Sequence, residues 1–391
     1  MNVRLLITKY KSIGVITSSL LIGAIVTFIA LPFLTRLYPV RDFGEYGVAL
    51  AVVSVLSTVA NLRLDQALLV ANDADKKSLV FEGSFFSFVF CAFSAAVLFF
   101  IFNLDVVFAI CTGVLSNSLI QSVYNYKFSQ ENEFFCANLN ILRSTIIVVT
   151  QLSFPMIMEI KLVNSYNISS LIMIAAMLSY ILKNGLYRVN WLSFKKYKDF
   201  IFSNTPHALL NSFSHNLPYY IVAHFVGVHA VGFYSIVERT LRVPITLMSQ
   251  TIRQFYIRKF KQEQNTYTAL RSSIFLSIIS LPFFLIFLVL PESLYLSVFG
   301  EEWQGISLYF KILALGYWAV FCNPPISAYI IAKRKSNVLF GLQIVELLIK
   351  FLLFVLLYFF VSDKVYLLFA IPISLVFYNF SIMIFVWSTR E

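Results

Sequence analysis

The sequence predicts an all-α integral membrane protein. Its architecture is about twelve transmembrane helices in two six-helix lobes, related by a parallel pseudo-two-fold repeat around a central cavity. Three observations lead there. The chain is too apolar for a soluble domain, its apolar stretches recur at spanning length from end to end, and a segment near residue 40 is echoed 188 residues later.

Of 391 residues, 59% are hydrophobic and 13% charged, with a mean hydropathy of +0.80. A soluble domain is roughly 45–50% apolar and about 25% charged. The 41 Phe suit helices that face lipid. The net charge of +11 raises nucleic acid as a partner, but the basic residues lie in short loops between apolar runs rather than on one face, which excludes that reading. Cys91, Cys111, Cys136 and Cys322 are scattered in or beside apolar segments and read as small core residues. The apolar run from Ser12 to Thr35 is too long for a cleaved signal and reads as the first span.

A span needs about 20 largely apolar residues. Twelve are expected, near 12–35, 44–66, 81–102, 105–126, 139–158, 166–186, 203–226, 230–255, 271–290, 305–331, 337–361 and 365–387. With both termini cytoplasmic, the cytoplasmic loops and tails hold 20 of the 30 basic residues and the opposite side holds four: Arg36, Arg41, Lys161 and Lys364. Such a bias sets orientation in the inner membrane. The longest loop, near Tyr187 to Phe202, divides the chain into lobes 1–190 and 191–391.

The repeat ties the lobes together. "VRDFGEYGVALAVVS" starts at Val40 and "VHAVGFYSIVERTLR" at Val228, placing Gly44 on Gly232 and Tyr46 on Tyr234. In span two, Ser54, Thr58, Asn61 and Asp65 share one helical face; adding 188 gives Arg242, Thr246, Ser249 and Arg253, all polar. Two lipid-facing helices have no reason to share such a stripe, whereas two helices lining a cavity do, with Asp65 and Arg253 placed to pair across it. Parallel repeats with a substrate site between halves are a standard plan of secondary transporters.

Span eight also carries Glu238 and Arg239. A charge at the bilayer centre costs about 2.5–3.5 kcal/mol on insertion scales. Glu238 and Arg242 are spaced i,i+4 and partly neutralise each other. Arg239 has no obvious local partner, so water and an anionic substrate are its expected compensation; packing between the halves by a buried Glu–Arg pair is the competing reading. Span seven offers Asn204, His207, Asn211, Ser214 and His215 on one face, which suits a sugar-rich or hydrated ligand. His215 and His224 point to opposite faces with no acidic partner nearby, so a metal site is not expected. Span four offers Asn117, Gln121 and Tyr124, and span eleven Gln343, Glu346 and Lys350, where Glu346–Lys350 reads as an internal pair. Asp65, Glu238 and Glu346 are the candidates for ion coupling. Arg143 and Lys311 read as residues that snorkel, and Arg63 falls off the polar stripe. No Gly-rich phosphate loop or Walker lysine is present and no cofactor is expected.

The segment "FLTRLYPVRDFGEYGVALAVVSVLSTVANLRLDQALL" (Phe33 to Leu69) resembles the first-half signature of the polysaccharide transporter family, within the multidrug/oligosaccharidyl-lipid/polysaccharide superfamily. "VGFYSIVERTLRVPITLMSQTIRQFYIRKF" (Val231 to Phe260) resembles its second-half counterpart, and "LSVFGEEWQGISLYFKILAL" (Leu296 to Leu315) the turn before span ten, through Gly300 and Trp303. The resemblance implies a Wzx-type flippase for O-antigen or capsule units, moving an undecaprenyl-pyrophosphate-linked glycan between leaflets by alternating access. It implies a cationic cavity lined by spans one, two, seven and eight, with Arg239 and Arg242 where the family places such lining. The substrate-binding candidates are then Arg239, Arg242, Arg253, Ser54, Thr58, Asn61, Asn211, His215 and Gln121. Expected partners are the lipid-linked glycan, membrane lipids, and the polymerase and chain-length regulator of the same pathway. A membrane O-antigen polymerase or transferase and a cation-coupled drug antiporter stay open as alternatives. The short outer loops speak against the first and a cationic cavity against the second.

Overall fold

The computed structural model describes residues 3–158, 160–187, 195–198, 200–262, 266–333 and 335–388. Among them the regular structure is helical throughout. The lobe boundary expected at 190/191 lies outside the described residues, as do Arg188, Arg334 and Arg390 and the side chains of Arg4, Lys9, Lys11, His207, Ser249, Arg258 and Lys261. By its contacts the chain forms two compact units, Met1–Tyr220 and Ile221–Glu391.

The first unit begins with α1 (Val3–Leu37) and α2 (Val40–Ala60), followed by a short α3 (Leu64–Ala67). Four long helices come next: α4 (Asp73–Leu98), α5 (Leu104–Phe128), α6 (Glu133–Ser153) and α7 (Leu162–Lys183). Local chemistry sets these starts. Asp73 and Asp75 in α4, Asp105 in α5 and Glu133 in α6 place acid in the first turn, where the helix dipole favours it. The Asn132 side chain caps α6 by accepting from the Phe135 N–H at 3.1 Å. Lys196 and Tyr197, just before the next helix, both reach Asp75 on α4, at 2.6 and 3.1 Å.

The chain continues with α8 (Thr205–Phe225), most of which belongs to the first unit. The second unit holds α9 (Val228–Gln262), α10 (Thr266–Val289), a short α11 (Glu292–Phe299), α12 (Ile306–Phe321), α13 (Pro324–Ala332), α14 (Ser336–Phe360) and α15 (Ala370–Ser388).

Two expected spans are altered. Span two ends at Ala60, short of its expected end, because Leu62 and Arg63 adopt left-handed backbone, with φ 53° and 58°. Span ten is broken at Cys322–Asn323, since Pro324 and Pro325 supply no N–H to carry the helix through.

Among the described residues ten helical segments are long and apolar enough to cross a membrane, with α12 and α13 counted together. The two expected spans missing from that set are the seventh and eighth, α8 and α9. Both form as helices, of 21 and 35 residues, but polar groups interrupt their apolar character.

The internal repeat is visible in the helix starts and in the packing. Helices α2 and α9 begin at Val40 and Val228, which reproduces the offset of 188 (228 − 40). Within the first unit α5 packs on α2, α4 and α7, and α6 on α7. Within the second, α12 packs correspondingly on α9, α10 and α15, and α14 on α15. In each unit the fourth span is thus the central helix, and each uses a glycine where the sixth span crosses it. A Cβ on Gly113 would lie 2.8 Å from the Tyr166 hydroxyl, and one on Gly316 would lie 2.6 Å from the Pro372 Cα. Small residues permit such close approach where lipid supplies no hydrophobic drive between helices.

The second contact is with backbone, so it cannot be relieved by a rotamer change. Gly316→Val should destabilise the protein by about 1–3 kcal/mol, read as a lower midpoint of thermal unfolding in detergent. Gly341→Ala on α14, where a Cβ meets nothing within 4 Å, should leave the midpoint unchanged or raise it.

Candidate functional site

The polar residues inside the spans form separate groups in each unit. In the first unit Ser54 is exposed on α2 and meets α8: its hydroxyl lies 3.3 Å from that of Ser212 and accepts from the Asn216 amide at 3.1 Å. The sequence pattern favours Asn211 and His215 for this face; the structure brings Ser212 and Asn216, one turn apart, to Ser54. Asn211 and His215 make contacts of their own and are half-buried and exposed respectively. Thr58 turns its hydroxyl back to the Val55 carbonyl at 2.7 Å, as Thr does within helices.

The expected stripe Ser54–Thr58–Asn61–Asp65 does not exist as one face, because the helix ends at Ala60. Asn61 is fully buried and Asp65 is 3% exposed, so neither lines an open surface. Asp65 is answered within its own unit. Its Oδ2 accepts from the Asn125 amide at 3.1 Å, and Arg63 lies beside it. Burial pushes the Asp65 carboxyl above its usual range, while Arg63 pulls it down.

On α5, Asn117, Gln121 and Tyr124 all stay half-buried on one face. Asn117 donates to the Ser57 hydroxyl on α2 at 3.3 Å and accepts from Arg143 on α6. Arg143 therefore reaches inward to a neighbouring helix and does not snorkel. Glu82 on α4, which no sequence pattern singles out, is a fully buried and engaged carboxylate.

In the second unit the charges of α9 are organised by one carboxylate. Glu238, whose side chain is 10% exposed, holds Arg242, 46% exposed, at 2.7 Å. The Tyr317 hydroxyl on α12 lies beside Glu238, Arg242 and Tyr234, so the buried end of the pair is anchored in the bundle. Arg239 is half-buried and makes contacts of its own. Arg253 is exposed near the far end of α9, and both it and Glu346 lie within electrostatic reach of Tyr378.

Glu346 and Lys350 form a closed pair at 2.7 Å, with side chains 6% and 5% exposed, and Ser374 on α15 donates to the same carboxylate at 3.0 Å. Lys311 is exposed. Among the described residues no group of three or more His, Cys, Asp or Glu is placed to hold a metal ion.

A family model described as "Polysaccharide biosynthesis protein" matches residues 33–308. No curated protein matches the chain in sequence. Among solved structures it is similar to the lipid II flippase MurJ in an inward closed conformation, at 12% identity and a TM-score of 0.72, covering 98% of this chain and 88% of that one. It is similar to the MATE multidrug transporter DinF-BH, at 14% identity and a TM-score of 0.67, covering 97% and 96%. It is also similar to a MOP superfamily transporter from Pyrococcus furiosus with a binding pocket of reversed polarity, at 13% identity and a TM-score of 0.63, covering 97% and 95%. At these identities the likeness establishes the fold.

Two stability measurements check the electrostatics. Lys350→Met alone leaves Glu346 buried and unpaired, at a cost of about 3–5 kcal/mol. Thermal unfolding of the Glu346→Gln/Lys350→Met double variant should recover most of that loss. Asp65 lies beyond the membrane-spanning part of α2, and its raised carboxyl weakens the fold as pH climbs past the ordinary carboxylate value, where the unfolded chain ionises first. Asp65→Asn should therefore gain stability over wild type near neutral pH and lose that advantage as pH falls toward about 4.

Proposed function

We propose that this chain, which belongs to the polysaccharide biosynthesis protein family, is a flippase for a lipid-linked oligosaccharide. Its cargo is an undecaprenyl-pyrophosphate-linked repeat unit of O-antigen or a similar surface polysaccharide. It carries that unit from the cytoplasmic to the outer leaflet of a bacterial inner membrane, with both of its own termini cytoplasmic. The observation that carries this reading is the Glu238–Arg242 pair: a carboxylate buried in the helix bundle holding a half-exposed guanidinium within a predicted membrane helix.

The physical argument follows from the cargo. A pyrophosphate must pass about 30 Å of hydrocarbon, where an unpaired charge is very costly. Arginine meets phosphate oxygens with charge-assisted, often two-pronged contacts. With Glu238 as its hinge point, Arg242 offers its outer N–H groups to such a headgroup. Arg239 on the neighbouring turn and Arg253 further along α9 extend the cationic track. Ser54, Thr58, Ser212, Asn216, Asn211, His215 and Gln121 supply the hydroxyl, amide and imidazole groups that take the place of water around sugar hydroxyls. The lipid tail stays in the bilayer throughout. No bond is made or broken; the protein exposes the same polar groups first to one side of the membrane and then to the other. A polymerase and a chain-length regulator take up the delivered unit.

Deletion of the gene in its native host, followed by analysis of lipid-linked and surface glycan, tests the reading. Single repeat units should accumulate on the inner leaflet with none at the surface. Single units at the surface without long chains would identify a polymerase instead, and normal glycan with heightened dye sensitivity a drug exporter. In the complemented strain, Arg242→Ala should abolish export and Arg242→Lys retain part of it. Normal export by a well-inserted Arg242→Ala protein would reduce the pair to packing.

A further inference from the structure

Arg143 stands ten residues from each end of α6 (143 − 133 and 153 − 143). At 1.5 Å per residue that is about 15 Å from either end, the middle of a hydrocarbon layer about 30 Å thick. Long basic side chains near helix ends escape by snorkelling; one at the midpoint does not reach an interface. Here the head group instead turns inward. It donates to the Asn117 side chain on α5, which in turn donates to Ser57 on α2 at 3.3 Å, and the Ser57 residue is 4% exposed. Tyr166 on α7 lies within electrostatic reach. Four helices of the first unit thus converge on one guanidinium.

Among the described residues no carboxylate answers its charge. Two other mid-span cations are compensated by carboxylates: Arg242 by Glu238 and Lys350 by Glu346, each at 2.7 Å. Among the described residues no carboxylate lies within ion-pair distance of Arg143, and its hydrogen-bond partner is a neutral amide. A lone charge at the bilayer centre costs about 2.5–3.5 kcal/mol on insertion scales, and such residues mark substrate pathways. A guanidinium carries five N–H donors in a planar fork. The Asn117 amide occupies one edge and fixes the plane, and the remaining donors are shaped for an oxyanion, phosphate above all. Lysine would give a point charge without that geometry.

We propose that Arg143, held by Asn117 and Ser57, is an anion-binding residue of the amino-terminal unit that takes a phosphoryl oxygen of a lipid headgroup at mid-membrane depth. The inference rests on the flippase reading for the identity of the headgroup and adds to it a cation on the opposite half of the sequence from Arg242. Asn117 is a positioning residue, acting through Arg143.

The test is native mass spectrometry of the full chain with undecaprenyl phosphate as the probe and phosphatidylglycerol as the competing phosphoryl lipid. Arg143→Gln should weaken binding of undecaprenyl phosphate about ten- to a hundredfold, Arg143→Lys should recover part of it, and Asn117→Ala should cost less than Arg143→Gln. Phosphatidylglycerol binding should be equal in all four proteins. Thermal unfolding screens each variant for folding; if Arg143→Gln does not fold, Arg143→Lys and Asn117→Ala carry the comparison. Wild-type affinity in folded variants overturns the proposal while leaving the flippase reading intact. An equal loss for phosphatidylglycerol makes the residue a general phospholipid contact and overturns it as well. Failure of the flippase reading has a separate signature, normal surface glycan in the deletion strain.

Discussion

Everything in this molecule answers to the cost of a polar group in hydrocarbon. Backbone groups are paired inside helices because no water is there to receive them, and charged side chains there carry a cost that pairing or hydrogen bonding reduces. The structure shows several solutions to that one problem. Lys350 is closed off by Glu346 and Ser374. Arg242 is paired with Glu238 while its side chain stays 46% exposed. Arg143 is anchored by an amide with its charge left over. The gradation runs from a closed, buried ion pair to a charge met by a neutral amide.

Much of the fold is legible directly. Span-length apolar runs and an echo at an offset of 188 locate the helices and their repeat, and α2 and α9 start where the offset places them. Local geometry is what escapes such reading. Nothing in "VANLRLDQALL" announces two consecutive left-handed residues at Leu62 and Arg63, which favour glycine and are adopted here without one. That turn removes Asn61 and Asp65 from the α2 face and buries them. On α8 the residues that meet Ser54 are Ser212 and Asn216, one position along from Asn211 and His215, because a helix dense in amides and hydroxyls offers adjacent stripes of equal appearance. The role of Arg143 is hidden because a single basic residue has no periodicity. Its depth, ten residues from either helix end, is the available signal.

The two units solve their packing in parallel. Each has a central fourth span, and each central span carries a glycine at the crossing of the sixth, Gly113 against Tyr166 and Gly316 against Pro372. Crossings with no room for a methyl group resist sliding because packed interiors have few spare voids. Within each unit the polar side chains therefore project from a scaffold that holds its shape.

The low apolarity of α8 and α9 also bears on how the chain is made. They are consecutive, joined through Val226 and Gly227, where φ is 115°. Insertion of α9 alone would carry Glu238, Arg239 and Arg242 into lipid, each charge opposing entry by about 2.5–3.5 kcal/mol. Such a pair of consecutive helices is a poor independent passenger at the translocon. Its retention depends on partners already in the bilayer or arriving soon after, Ser54 on α2 for the first helix and Tyr317 on α12 for the second. Biogenesis of this protein is consequently a matter of order: its least apolar segments depend on helices made before and after them to become secure in the membrane.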